Sequence, residues 1–486
     1  MATPPPPPAA APGGALTLGL VLGVTVMAFG GLAVVTIAPR IPADLGGLEL
    51  YGWIFSAYLL ASLFGTVWGG NEADRRGPAR AFTLGLFAFA GGLVVAAIAP
   101  SMAVLIAGRV LQGAGGGAVI TCIYVALSLA YPDADRPRVL AYLSSAWVVP
   151  ALVGPALAGA VAEVATWRWV FAALVPLTVL VAVLTLPTFA RLPQRPPGTR
   201  SGRDRLLNAG TLALAVGLAI WSIGGSGAWP LRALAFGIAI AAVPRALAAL
   251  TPPRTLRLGP GLGAVIAARG LFFAAFITVE VFLALMLTDV LALSSAVTGV
   301  VIATGAISWS TGAWTQARLD ARRGRIATTT ATARLLASLA EGRDVRVRLG
   351  VAVIAVGLVA QMGALAAGPE RAVLALVVAV MGWMVAGLGI GFAHASSSAL
   401  AFVRAEDEGV PVGTVSSSLL LADNVSAAVA TGVGGALLAT ATGAGAPLGT
   451  GVALGYFAGY AAIALSAVAS QRIGAPPVQR RPAPRR

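Results

Sequence analysis

Three ionisable residues lie inside long apolar stretches of the chain, where a charge is costly and therefore marks a candidate site of function. They are Arg109, Glu280 and Asp423. A low-dielectric environment favours the neutral form of a carboxylic acid, so either acid can take up a proton on one side of a membrane and release it on the other. We predict that at least one of the two acids is a proton-coupling site. The alternatives are a hydrogen-bonded structural role for each acid and a side chain that reaches the interface for Arg109.

The remaining titratable residues exclude several kinds of chemistry. The chain has one cysteine, Cys122, and one histidine, His394, so it forms no intramolecular disulfide and no site built from several histidines or thiolates. His394 can change charge near neutral pH, but a capped structural histidine is the simpler interpretation. We find no HExxH motif and no nucleophile paired with a base. The sequence therefore predicts no enzyme activity, no metal and no cofactor.

The elements that carry these residues are membrane spans. The chain has 486 residues, of which 58% are hydrophobic and 10% charged, whereas soluble domains carry about 25% charged residues. A membrane-spanning helix needs about 20 apolar residues, and apolar segments of this kind recur from residue 15 to residue 470. We count fourteen, with the fifth at 139–162. Two short, alanine-rich segments at 206–224 and 230–250 are the weakest, and without them the count is twelve.

The arginines fix the orientation of these spans. All 33 basic residues are arginine, and the net charge is +15. With the N-terminus inside, 27 of them fall on the inner side and four on the outer side (Arg40, Arg168, Arg232 and Arg371), as the positive-inside rule predicts. Arg109 and Arg269 lie within spans. The net positive charge thus indicates the orientation of the chain in the membrane and does not indicate binding of nucleic acid. The longest inner loop, 316–347, is either an amphipathic surface helix over 326–339 or a disordered basic segment.

Two glycine-rich segments resemble motifs of the major facilitator superfamily. The loop after the second span contains Gly70, Asp74, Arg75 and Gly77 and is similar to motif A, which latches the inner gate in that family. Glu72 stands where the family has an apolar residue, and an ordinary basic turn is the alternative. In the fourth span, the segment from Arg109 to Gly117 resembles motif B, whose arginine is implicated in proton coupling. Its glycines permit close approach of helices.

The fifth span resembles motif C, the antiporter motif that marks exporters in the superfamily. Its matching residues are Gly154, Pro155 and Gly159, with Pro150 in place of a glycine. Generic packing of small residues is the alternative. The following run, Thr166-Trp167-Arg168-Trp169-Val170-Phe171, resembles a signature of the fourteen-helix drug:proton antiporter family. A loose echo of motif A begins at Gln316, as expected for duplicated halves.

The resemblance implies an all-α, polytopic membrane protein of the major facilitator fold, in which two six-helix bundles flank two inserted central helices. It implies the following division: a disordered Pro/Ala tail at 1–14, an N-terminal bundle at 15–190, a basic loop with two central helices at 191–257, a C-terminal bundle at 258–470 and a basic cytoplasmic tail at 471–486. Export of amphipathic small molecules in exchange for protons follows from it. The first span lacks the aspartate that the family usually carries, so a uniporter or an importer of the same fold stays the alternative.

Aromatic residues in the spans are candidates for the wall of a substrate cavity, although most aromatics in spans face lipid or pack between helices. We single out Phe29, Trp53, Tyr58, Phe276 and Trp309. The expected partners are a small-molecule substrate, protons and membrane lipids, with no nucleic acid, and the expected state is a monomer. The expected location is the bacterial cytoplasmic membrane, with both termini in the cytoplasm.

Overall fold

The computed structural model describes residues 14–132, 135–192, 202–225, 227–321 and 342–474, and nearly all of them are helical. Within these ranges, 13 helices are long and apolar enough to cross a membrane. The chain is therefore a multi-pass membrane protein. Almost all of the predicted Pro/Ala tail, the predicted helix over 326–339 and most of the C-terminal basic tail lie outside the described residues.

The described residues between 14 and 192 form nine α-helices, which contribute to an apolar core that continues into the C-terminal half. Two of them, α2 and α8, are short connectors at the ends of longer helices. The nine are α1 (Gly14–Ile37), α2 (Arg40–Leu45), α3 (Trp53–Arg76), α4 (Pro78–Ala97), α5 (Met102–Ala130), α6 (Arg136–Ser145), α7 (Val148–Val164), α8 (Arg168–Ala172) and α9 (Leu174–Phe189).

Two helices follow that pack against each other and present many large apolar side chains on their outer surface, α10 (Arg203–Gly224) and α11 (Trp229–Leu250). Six long helices complete the described chain. They are α12 (Leu262–Leu285), α13 (Ser295–Ala321), α14 (Arg343–Ala367), α15 (Ala372–Asp407), α16 (Val412–Gly443) and α17 (Leu448–Gln471). A π-helical turn, Met286–Val290, extends α12.

The fifth predicted span is divided into two helices, α6 and α7, with a turn at Ala146 and Trp147 between them. A proline has no N–H to donate and is well tolerated in the first turn of a helix, and Pro150 lies in the first turn of α7. A proline does not by itself divide a helix in this molecule, because Pro155 lies in the interior of α7. The 17 residues of α7 alone are fewer than a span requires, and the count of fourteen stays a prediction.

The two halves of the molecule meet at the ends of the helices that the arginine distribution assigns to the outside, which we call the outer ends. A Cβ on Gly159 of α7 would lie 2.2 Å from the carbonyl oxygen of Ser295, at the start of α13. A Cβ on Gly52, just before α3, would lie 2.8 Å from the Cα of Gly435 in α16. Backbones this close leave no room for a side chain, so both crossings depend on glycine.

Polar contacts reinforce the outer closure. The Arg40 side chain, at the start of α2, donates to the Ser295 hydroxyl at 2.6 Å and to the carbonyl oxygen of Ala162 at 3.4 Å. The Ala296 N–H at the start of α13 donates to the Glu163 carboxylate at 3.3 Å. The described structure is thus closed at its outer end.

Candidate functional site

Four helices of the C-terminal half bring an ion pair, a histidine and a group of aromatic rings together. They are α12, α13, α15 and α16, which contribute Arg269, Trp309, His394 and Asp423 respectively. Three residues of α12 are separated by seven and four positions: Arg269, Phe276 and Glu280. This spacing places them along one face of the helix.

Arg269 and Asp423 form a buried ion pair. The Arg269 Nε donates to Asp423 Oδ1 at 3.0 Å and to Oδ2 at 3.1 Å, and Nη2 donates to Oδ2 at 2.8 Å. The two side chains are only 6% and 9% exposed. The planar guanidinium matches the carboxylate in a two-pronged geometry, which makes such pairs strong and specific. Asp423 is therefore charge-balanced by Arg269 rather than isolated in the membrane.

His394 and Ser398, which are four residues apart on α15, complete the coordination of Arg269. The guanidinium Nη1 donates to the Ser398 hydroxyl, and Nη2 lies 2.8 Å from the His394 Nε2. The same Nε2 is 3.6 Å from the Asp423 carboxylate. Arg269 thus links three helices of the C-terminal half through hydrogen bonds made by one side chain.

Aromatic rings lie directly beside this polar group. Phe276 stacks on Trp383 with ring centroids 4.3 Å apart and contacts Trp309 edge-on at 5.5 Å. The Trp383 indole N–H donates to the carbonyl oxygen of Ile302 at 3.2 Å, which fixes that ring. Phe276 and Trp309, both predicted as cavity candidates, are therefore in contact with each other.

Glu280 lies one helical turn beyond Phe276, toward the outer end. The residue is 7% exposed, and among the described residues it has no hydrogen-bond or ion-pair partner. The next residue on the helix, Val281, accepts a hydrogen bond of 3.0 Å from the Tyr51 hydroxyl, which comes from the N-terminal half. Glu280 therefore lies just beneath the outer closure.

Arg109 lies in the other half of the molecule, and its partners are mainly backbone carbonyls. It donates to the carbonyl oxygens of Ile54 and Gly30, both at 3.1 Å, and to the Gln112 side chain at 2.6 Å. The Tyr58 ring lies 4.2 Å from its guanidinium carbon, a cation–π distance. Within the described chain, no carboxylate pairs with Arg109. This arginine joins α1, α3 and α5 and is 1% exposed.

The predicted gating turn separates α3 from α4. Gly77 adopts φ +82°, a conformation that favours glycine, between the end of α3 and the start of α4. Gly70 packs near Thr121 of α5, whereas Asp74 and Arg75 are exposed.

The carboxylate that pairs with the basic residues of this turn is Glu72, not Asp74. Glu72 is buried, and it accepts from Arg76 at 2.9 Å and from Arg80 at 3.3 Å. In the described residues Asp74 has no ion-pair partner. The departure from motif A at Glu72 thus places an ion pair where the family has an apolar contact.

Three of the four residues predicted as an antiporter motif lie at helix crossings of α7. Pro150 lies in the first turn of the helix, and a Cβ on Gly154 would lie 3.3 Å from the Phe29 ring of α1. At the next residue, the carbonyl oxygen of Pro155 faces Gly299 of α13, and one turn further Gly159 faces Ser295. The motif therefore lies at the interface between the two halves.

The five aromatic candidates do not form one group. Phe29 contacts α7 and Tyr58 covers Arg109, both in the N-terminal half, while Phe276 and Trp309 belong to the C-terminal group. Trp53 packs against Gly217 of α10, beside the apolar cluster between α3, α10 and α16. It is separate from the rings around His394.

Sequence reasoning identified Asp423 and Glu280 but gave no role to Arg269, Ser398 or the pairing of His394. The sequence did contain a signal for the ion pair between Arg269 and Asp423. An arginine and an aspartate within two different spans of one bundle are expected to neutralise each other. The sequence analysis noted Glu72 only as the residue that differs from motif A, and it assigned no ion pair to it.

The sequence model of the Major Facilitator Superfamily matches residues 20–431. A probable multidrug-efflux transporter of Mycobacterium tuberculosis is 31% identical over 257 residues, which is 49% of this chain and 55% of that protein. Multidrug resistance protein 3 of Bacillus subtilis is 30% identical over 165 residues, which is 34% of this chain and 32% of that protein. The chain thus spans about half the length of the first of these relatives and about a third of the second.

Solved transporter structures share the fold. A POT family transporter in complex with 5-aminolevulinic acid superimposes with a TM-score of 0.64 at 14% identity and covers 95% of this chain and 97% of that one. A D-xylose–proton symporter gives a TM-score of 0.59 at 14% identity, with 93% of this chain and 96% of that one covered. At this level of identity the likeness concerns the fold alone.

Proposed function

The chain belongs to the Major Facilitator Superfamily and is a membrane transporter, and we propose that it exports amphipathic small molecules in exchange for protons. The relatives named above as multidrug-efflux and multidrug-resistance proteins support export of this substrate class. The position of the antiporter-like motif at the interface between the halves also supports it, because a change of access must rearrange that interface.

The closed outer end supports transport by alternating access. The halves are joined at the outer ends by glycine crossings and by the Arg40 contacts. Further inward, a small cavity of about 40 Å³ lies between α3, α10, α11 and α16, and Leu63 and Asn424 are among the residues that line it. Rocking of one half against the other would open the outer end and close the inner one.

The single observation that carries proton exchange is the isolation of Glu280. Its carboxyl is buried and lacks a described partner, whereas the Asp423 carboxylate is held by Arg269. A carboxyl without a counter-charge in a membrane is more stable when it is protonated, and an opening to water reverses that preference. Glu280, at the boundary of the outer closure, is therefore the better coupling candidate of the two acids. The Arg109 side chain would hold the N-terminal half rigid while this happens.

Proteoliposome transport tests the proposal. Ethidium movement driven by an imposed pH gradient is measured for the wild type, Glu280→Gln and Asp423→Asn, and again after an ionophore collapses the gradient. We expect the wild type to lose active transport on collapse and Glu280→Gln to show only gradient-independent movement. Wild-type transport unaffected by the collapse would instead support the uniporter, and transport into rather than out of the cytoplasmic side would support an importer.

The same proposal includes the location and state of the protein. It would be a monomer in the bacterial cytoplasmic membrane, with both termini in the cytoplasm and lipid around its apolar outer surface. The 27 arginines on one side of the predicted spans support this orientation. Labelling of single cysteines in intact cells at Glu49 and at Arg80, both exposed and at opposite ends of α3, tests it. The proposal requires that only the cysteine at position 49 reacts with an impermeant reagent.

A further inference from the structure

The contact between Arg269 and His394 determines which nitrogen of the imidazole carries the proton. A guanidinium can only donate hydrogen bonds. Its Nη2 lies 2.8 Å from the His394 Nε2, so that nitrogen accepts. The Asp423 carboxylate is 3.6 Å from the same nitrogen, which is too far for a hydrogen bond that would hold a proton there. The geometry points to a neutral ring with its proton on Nδ1.

The arginine is held firmly enough to impose this tautomer. Asp423 engages both Nε and Nη2, and the Ser398 hydroxyl engages Nη1. A proton on Nε2 would point at an N–H of a guanidinium that has no freedom to turn away. The buried ion pair thus positions the histidine as well as neutralising the aspartate.

The His394 ring lies among aromatic rings and is partly exposed. Its ring centroid is 5.4 Å from that of Trp309 at an interplanar angle of 65°, and 5.9 Å from that of Phe273 at 39°. The His394 side chain is 27% exposed. Among the described residues no hydrogen bond involves Nδ1. A hydrogen-bond donor without a partner between aromatic walls favours a ligand that brings an acceptor and a flat ring.

The charges around the site define the ligand further. The two ionised groups next to the histidine are Arg269 and Asp423, and they neutralise each other. Glu280 lies on the same face of α12, 11 residues from Arg269 and beyond Phe276. An uncharged acceptor such as a carbonyl oxygen gains the hydrogen bond without meeting an unbalanced charge, whereas a carboxylate would also have to lose its hydration.

Resting on the transport function above, we propose that His394, Phe273 and Trp309 form a subsite for planar aromatic molecules that carry an uncharged hydrogen-bond acceptor, with the His394 Nδ1–H as the donor. Arg269 is the positioning residue of this subsite, and Phe276 and Trp383 support its wall. The subsite gives the substrate class a chemical definition that composition and motifs do not contain.

The single histidine makes the tautomer directly measurable. The full-length protein, purified through a tag without histidine and labelled with 15N-histidine, contains one imidazole at position 394. We expect 15N resonances at pH 7 typical of the neutral ring protonated at Nδ1. Arg269→Gln, which removes the donor to Nε2, is expected to mix the two tautomers. A wild-type spectrum of the Nε2–H form or of the doubly protonated ring would overturn the inference, whatever the protein transports.

Matched ligands test the hydrogen bond. Fluorenone and fluorene have the same tricyclic skeleton, but only fluorenone has a carbonyl oxygen. Affinity is measured by quenching of tryptophan fluorescence for the wild type, His394→Asn and His394→Phe. The asparagine amide nitrogen takes the place of Nδ1, while phenylalanine keeps a ring without a donor. We expect His394→Phe to weaken fluorenone binding about three- to tenfold, the range of one neutral hydrogen bond, and His394→Asn to weaken it less. Fluorene binding should be nearly equal in all three proteins.

Two results would refute the subsite while leaving the transport function intact. One is ethidium export by a protein in which fluorenone has no advantage over fluorene. The other is an equal effect of His394→Phe on both ligands, which would indicate a packing role. If neither fluorenone nor fluorene binds, the subsite is refuted as well. Conversely, a fluorenone preference that depends on His394, in a protein that shows no pH-driven transport, would refute the proposed transport function and not the subsite.

Discussion

The crossing of α7 and α13 offers a direct test of the outer closure, because a single methyl group should prevent it. A Cβ on Gly299 would lie 2.2 Å from the Pro155 carbonyl oxygen, 2.7 Å from its carbonyl carbon and 3.0 Å from the Cα of Ala156. Carbon atoms in contact are about 3.5 Å apart or more. All three neighbours are backbone atoms, which cannot rotate away. Gly299→Ala therefore forces the two helices apart.

The size of the effect follows from the overlap. Overpacking of a tight interface costs about 1–3 kcal/mol, which corresponds to a change of about 5- to 150-fold in a conformational equilibrium. The cost applies to the closed state, because the two surfaces separate when the outer end opens. We therefore expect Gly299→Ala to raise the population of outward-open molecules by a factor in that range.

Distance measurements between spin labels report this population. Cys122 is buried and is first replaced by alanine. Labels are then placed on cysteines at Val164, which is 91% exposed at the outer end of α7, and at Glu370, in the exposed turn before α15. The wild type should show mainly one short distance, and Gly299→Ala should add a longer one.

A matched substitution controls for the loss of a helical glycine. Gly91 lies in the interior of α4, and a Cβ added there would have no heavy atom within 4 Å beyond its own stretch of helix, so Gly91→Ala changes helix propensity alone. Its distance distribution should match that of the wild type. If Gly299→Ala also matches the wild type while remaining folded by size-exclusion chromatography, the close crossing does not hold the outer end shut.

Three further substitutions test the polar contacts. Asp423→Asn leaves the Arg269 charge buried without its counter-ion and should lower the free energy of unfolding by about 3–5 kcal/mol, measured by thermal unfolding in detergent, with partial recovery when Arg269→Gln is added; unfolding like the wild type would contradict this. Arg109→Lys keeps the charge but loses the forked geometry, so we expect a decrease of about 1.5–3 kcal/mol for each charge-assisted bond lost in the same assay. Arg40→Ala removes the bond to Ser295 and should increase the longer spin-label distance, but less than Gly299→Ala does; a larger effect would mean that polar contacts, not close packing, dominate the closure.

Local sequence patterns predicted the helical elements well, because each span must satisfy its own backbone and present an apolar surface. They predicted one span over 139–162, where the structure has two helices, α6 and α7. The sequence contains Pro150, but it does not tell whether a span with a proline bends or divides. That outcome depends on how the neighbouring helices pack against the span. Here α1 and α13 pack against α7 through Gly154 and Gly159, and α7 begins after a turn at Ala146 and Trp147.

The gating turn shows the limit of a motif match. The pattern singled out Asp74, but burial selects Glu72, because residues two apart on a helix point in different directions and only one of them faces the neighbouring helices. Arg76 and Arg80 then pair with the buried carboxylate at distances of 2.9 and 3.3 Å. The motif overlaps the turn between α3 and α4, but it did not identify the acid that the arginines contact.

The sequence by itself indicated a helical membrane protein of a known superfamily. It also predicted an orientation from the arginines and showed which few charges lie within the spans. These properties depend on composition and on short-range order along the chain, since hydrophobic length and charge are read residue by residue. Only the tertiary structure decided how those charges are used. Arg269 lies 154 positions from Asp423 and 125 from His394, and only the packing of α12, α15 and α16 brings them within hydrogen-bond distance. The same packing leaves Glu280 without a described partner and fixes the proton on one histidine nitrogen, because a hydrogen bond depends on positions within a few tenths of an ångström.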